Sequence, residues 1–102
     1  MKDKYSHITK FENIMVEQEK NIKKLQEMLN EINQKQSDYQ KLYNYYYSEE
    51  REQDLEDEEK HLIPENLNRG VLSEDEIYNL ILDTHDVGLE MIETALKLLK
   101  IN

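Results

Sequence analysis

Apolar residues recur at alternating spacings of three and four from Ile8 onward: Ile8, Phe11, Met15, then Ile22, Leu25, Leu29 and Ile32, with Gln18 as the one polar interruption. This spacing draws a stripe along one face of a helix. Ile14 and Met28 widen the stripe, yet it stays too narrow to bury a helix on several sides. That is the signature of a coiled-coil-like seam. The pattern predicts a first helix over about residues 3–34.

The same register continues through Gln36, Tyr39, Tyr43 and Tyr46. Ser37 and Asp38 are cap-type residues, so the reading places a break near residues 34–38 and a second helix over about 37–61. The alternative is one helix from about residue 3 to about residue 60, because no Gly or Pro interrupts that span. The second apolar face comprises Tyr39, Leu42, Tyr43, Tyr46 and Tyr47. It fades toward Leu55 among carboxylates. Ile63 precedes Pro64 and is pushed out of helical geometry, which predicts a turn over residues 62–72. Pro64 suits the opening of a single turn through Leu67, and Gly70 is expected to close it in the left-handed conformation.

The third helix, over about residues 73–100, has the clearest start signal. Ser73 and Glu76 have capping-box spacing, and Leu72 and Ile77 have the spacing of a hydrophobic staple. Glu74, Asp75 and Glu76 lie where the helix dipole favours negative charge, and Lys97 and Lys100 where it favours positive charge. Tyr78, Leu82, His85, Leu89, Ile92, Leu96 and Leu99 form a regular face, broadened by Ile77, Ile81 and Leu98. Gly88 and Ala95 leave room for a neighbouring helix. This helix is expected to be the most buried, with His85 as a core histidine. The fold expected is all-α: an antiparallel helical hairpin or three-helix bundle with coiled-coil-like packing, in a single domain over residues 1–102. If helix 1 does not fold back, its seam awaits another chain.

Composition narrows the function. Of 102 residues, 23 are acidic and 13 are Lys or Arg, for a net charge of -10. Nucleic acid and anionic membrane surfaces both select basic patches, so neither is an expected partner. Without Cys there is no disulfide framework or thiolate chemistry. Residues 1–30 carry no continuous apolar run, so neither a signal peptide nor a membrane span is expected, and the expected location is the cytoplasm. Residues 1–36 hold seven Lys against six acids. Residues 37–63 hold three bases against nine acids, and residues 64–102 hold three against eight. Helices of such opposite bias are suited to pair with one another.

The acid run from Glu49 to Glu59 suggests a metal site. Glu56 with Glu59, and Glu90 with Glu93, have helical spacings at which carboxylates can share magnesium or manganese. All-helical nucleotide pyrophosphohydrolases use such pairs, and a divalent-metal-dependent phosphohydrolase is the alternative function. The plain reading is a solvated acidic face with no cofactor. Glu58 and His61 have one Glu-x-x-His spacing, but a di-iron bundle needs two. Nucleophilic triads and Gly-rich phosphate loops have no counterpart here. Among the tyrosines, Tyr43, Tyr46 and Tyr47 are expected to pack inward and Tyr45 to point outward, where an exposed tyrosine suits a protein interface. Arg69 is expected to pair with carboxylates of residues 49–59 or 74–76.

Tyr46-Tyr47-Ser48-Glu49, Ile63-Pro64-Glu65-Asn66-Leu67 and Arg69-Gly70-Val71-Leu72-Ser73-Glu74-Asp75-Glu76-Ile77-Tyr78-Asn79-Leu80 together resemble the DUF4298 family, a group of short bacterial proteins of unknown function. The resemblance is specific across residues 45–83. Residues 50–55 lack the aromatic that members often carry. It implies an all-helical domain and supplies no catalytic residues.

The expectation is therefore a non-enzymatic helical interaction or oligomerisation protein of the bacterial cytoplasm. Its partner would be a second copy, forming a dimer, or another helical protein. The expected contact residues are Phe11, Met15, Ile22, Leu25, Leu29 and Tyr45. Pro64, Arg69, Gly70, Leu72, Ser73, Glu76 and Ile77 are expected to be structural. An acidic mimic of nucleic acid is a third reading, which predicts salt-sensitive binding to a basic protein.

Overall fold

The structure is a computed structural model that describes residues 4–100; residue 3, where the first helix was expected to start, lies outside them. Among the described residues there are helices and turns and no strands: α1 (Ser6–Tyr46), α2 (Glu49–Glu59), a short 3-10 turn (Gly70–Leu72) and α3 (Glu76–Leu99). The all-α expectation holds. The chain divides into two compact units, Met1–Tyr39 and Gln40–Asn102.

The break does not fall at residues 34–38. Ser37 and Asp38 sit inside α1, which runs on to Tyr46. Cap-type residues do not end a helix whose apolar register continues and whose neighbours include no Gly or Pro. Past them, the side chain of Gln40 donates to Asn44 one turn on, at 3.0 Å, a spacing that supports an exposed helix. The single helix to residue 60 is also interrupted, at Tyr47 and Ser48. Ser48 is extended (φ -95°, ψ 158°) and is the N-cap of α2.

The first unit is a segment of α1 alone. Along it the predicted stripe is exposed at Phe11, Met15, Ile22 and Leu25, while Leu29 is half-buried.

In the second unit α2 ends in a Schellman motif. Leu62 N donates to Asp57 O (3.0 Å) and His61 N to Glu58 O (3.1 Å), with His61 in the left-handed region at φ 58°. That position is commonly a glycine. Gly70 does not have a positive φ, contrary to expectation. It opens the 3-10 turn, with the carboxylate of the flexible Glu76 side chain lying against it. Pro64 opens the expected single turn, closed by Leu67 N to Pro64 O at 3.2 Å.

α3 begins at Glu76, three residues later than Ser73. Half of the capping box is formed, with Ser73 Oγ accepting from Glu76 N at 3.1 Å. The return bond is absent because Ser73 N already donates to Gly70 O at 3.1 Å. Among the described residues only Ile77 is buried, at 4% exposure, and it lies on α3; elsewhere on that helix only Ile81 and Gly88 are half-buried. His85 is solvent-exposed beside Asp86, 3.7 Å away, and is not a core residue. The apolar face of α3 is covered at Ile77 and partly at Ile81, while Leu82, Leu89, Ile92, Leu96 and Leu99 are exposed.

Candidate functional site

The second unit is organised around the loop between α2 and α3, and both arginines of the chain are spent on it. Arg69 Nη1 donates to Glu65 O (3.1 Å) and Leu67 O (2.9 Å). Its Nη2 donates to Ile63 O (3.0 Å) and Pro64 O (2.8 Å). Only a planar fork with several donors can gather four carbonyls in this way. Its Nε lies 2.7 Å from Glu58 Oε2, the partner range the sequence pointed to. Asp57, Glu58 and Glu59 crowd the C-terminal end of α2, which has no basic residue in its last turn. The dipole disfavours acids there, and Arg69 brings a positive charge to that end.

Arg51, which the sequence reading passed over, holds the other half of the loop. Its Nε donates to Val71 O and its Nη2 to Ser73 O, both at 3.0 Å. The guanidinium lies over the Tyr46 ring, 4.8 Å from its centroid, within cation–π range. Tyr46 meets Tyr47 edge-on at 4.9 Å, and Tyr47 lies 5.2 Å from Tyr43.

Ser48 sets where these groups start. Its hydroxyl donates to Tyr45 O at 2.6 Å, at the end of α1, and accepts from Arg51 N at 3.1 Å, at the start of α2. Glu49, Glu50 and Glu52 follow in the first turn, where acids are favoured. Ser48 with Glu49 and Glu50 is the same start signal as Ser73 with Glu74 and Asp75, so this cap was legible.

Tyr45 reverses its expected role. It is half-buried, and its hydroxyl donates to Asp54 Oδ2 at 2.6 Å. Burial and then this bond to an anion push its phenol up to about 12. Tyr47 is the outward tyrosine, at 66% exposure. The reason is the bend at Ser48, which ends the helical register that would have turned Tyr47 inward. Tyr45, Asp54, Ile63, Leu67, Arg69 and Leu72 share the lining of an open cleft of about 330 Å³. A second groove of similar size passes Leu42, Gly70, Val71, Glu76, Ile77 and Leu80. Pro64, Arg69, Gly70, Leu72, Ser73, Glu76 and Ile77 thus fall in or beside one loop. Among the described residues no buried side-chain polar atom lacks a partner.

The carboxylates of the alternative reading do not assemble. Among the described residues no three Asp, Glu or His side chains gather as a metal site would require. Glu56 and Glu59 on α2 and Glu90 and Glu93 on α3 are therefore not brought into one site. Each helix carries its pair as a separate acidic face.

An all-helical domain with this clamped loop defines the class. The family model of DUF4298, a domain of unknown function, matches residues 8–94, and the chain belongs to that family. No curated protein and no solved structure matches it. Among the described residues no helix is long and apolar enough to cross a membrane.

Proposed function

We propose that the chain is a non-enzymatic helical interaction protein of the bacterial cytoplasm, which associates with a second copy of itself through the seam on α1. The observation that carries this reading is the stripe Phe11, Met15, Ile22 and Leu25, 41–59% exposed on a helix whose opposite face is charged. Large contiguous apolar surface on a soluble chain marks an interaction site, and a stripe of three-four spacing is shaped for another helix. Leu29 adjoins it. Tyr45 does not belong to this surface, because its hydroxyl is engaged by Asp54. On this reading the protein needs no cofactor, and the acidic faces of α2 and α3 keep it in solution and away from nucleic acid and anionic membranes.

The test is sedimentation velocity of the wild type against the double variant Ile22→Glu, Leu25→Glu. Burying two carboxylates in the seam is prohibitive, so the variant is expected to sediment as a smaller species with helix content retained. Identical sedimentation of the two proteins would remove the α1 seam from the interface.

A further inference from the structure

The cleft beside the loop between α2 and α3 plays no part in pairing through α1. Its walls are largely apolar, with Ile63 half-buried and Leu62 and Leu67 66% and 53% exposed. At about 330 Å³ it lies at the small end of ligand pockets, which span roughly 300–1,000 Å³ and combine apolar walls with a few polar groups. What it can hold is decided by the polar groups that still have bonding capacity.

Arg69 has none. A guanidinium has five N–H donors. Here Nε faces Glu58 Oε2 at 2.7 Å, and the other four donors meet the carbonyls of Ile63, Pro64, Glu65 and Leu67. No donor is left to grip a phosphate or carboxylate, and Glu58 offsets the charge. Asp54 differs. It is half-buried in the lining, and its Oδ2 accepts from the Tyr45 hydroxyl at 2.6 Å. Among the described residues nothing donates to its other oxygen, and no Lys, Arg or His pairs with it. A carboxylate has about four lone-pair sites and accepts only. Besides Asp54, the charges acting on Tyr45 are Arg51 and Glu50, of opposite sign. Asn68, the remaining polar lining residue, is neutral and exposed. The lining thus keeps one negative charge without a partner.

We propose that this cleft binds a small organic ammonium ion with an apolar body, its N–H groups donating to the second oxygen of Asp54 and its hydrocarbon lying against Ile63 and Leu67. An organic anion would meet Asp54 with no donor to offset it. A neutral apolar molecule would fill the walls and leave the carboxylate unpaired. A metal ion needs several oxygen ligands, and among the described residues no such set gathers. This binding function does not depend on the α1 seam, so either can fail without the other.

The test is a titration of the wild-type chain at pH 7 with n-hexylammonium chloride, followed by amide and methyl chemical shifts. 1-Hexanol and hexanoate serve as the neutral and anionic counterparts. The amine is charged at that pH, as lysine is with its ordinary value of about 10.4. Saturable shifts centred on Asp54 and residues 62–72 are expected. Hexylammonium should bind about tenfold or more tighter than 1-hexanol, because a hydrogen bond to a carboxylate is charge-assisted, and hexanoate should bind weakest. Asp54→Asn should reduce hexylammonium to the affinity of 1-hexanol and leave 1-hexanol unchanged. Tyr45→Phe keeps the carboxylate and should keep the preference for the ammonium, a check that stands even if the Asp54 variant does not fold. Shifts spread evenly over the acidic faces of α2 and α3 would mean only loose attraction to a chain of net charge -10, and would overturn the proposal. Equal affinity for ammonium and alcohol, a preference that survives in folded Asp54→Asn, or no saturable binding would overturn it as well.

Discussion

His61 occupies a left-handed position at the end of α2 where a side chain is disfavoured by roughly 1 kcal/mol or more. Its replacement by glycine relieves that strain, partly offset by the extra freedom of an unfolded glycine. His61→Gly is expected to raise the urea midpoint modestly, and His61→Val to lower it. Tyr45 makes a second residue-scale case. Its raised phenol value means that the fold favours the neutral form. The contribution is complete below the ordinary value of 10 and is lost as pH rises through about 12. An ultraviolet titration is expected to show a late-ionising component to which Tyr45 contributes, Tyr47 being raised as well. Asp54→Asn should bring the Tyr45 part of it down, and Tyr45→Phe should reduce its amplitude by one tyrosine. Neither residue's place was legible. A histidine in a left-handed turn has no sequence signature, and the inward turn of Tyr45 depends on a helix end two residues away.

At the scale of elements, the legible features were those with local causes. The stop before Pro64, the turn from Pro64 to Leu67 and the cap at Ser73 each rest on chemistry within a few residues. The boundary between α1 and α2 was misplaced because Ser37 with Asp38 and Ser48 with Glu49 both carry start signals. Acids in the first turn favoured the second site, and the structure uses it. The loop that follows is held by Arg51 and Arg69, and only Arg69 stands within a few residues of the turn it holds. Arg51 lies 20 residues from Val71 and 22 from Ser73, separations that no local pattern reveals. Arg69→Lys retains the charge but loses the planar fork. Since the pair with Glu58 is partly exposed, and such pairs contribute little, most of the effect lies in the lost carbonyl bonds. Both Arg69→Lys and Arg69→Ala are expected to lower stability by about 1–2 kcal/mol in urea titrations. Full retention of stability by the lysine variant would show that charge, not geometry, holds the loop.

At the scale of the whole molecule, the chain has too little buried apolar surface to account for its own patterning. One buried residue among those described stands against two helices written with regular apolar faces. A helix that shows such a face and leaves it in water forgoes most of its tertiary stabilisation. On the proposed self-association that burial is restored on pairing, and stability is then expected to depend on concentration. All-α character was legible because periodicity and the scarcity of Gly and Pro are properties of the sequence alone. What covers the faces was not, because a seam for a second copy and a seam for the same chain have one and the same pattern.

The most direct test is absolute mass by light scattering after size exclusion, across a dilution series of the wild-type chain. The account predicts a dimer or larger species at micromolar concentration, which dissociates on dilution. A monomer at every concentration would contradict self-association through the α1 seam.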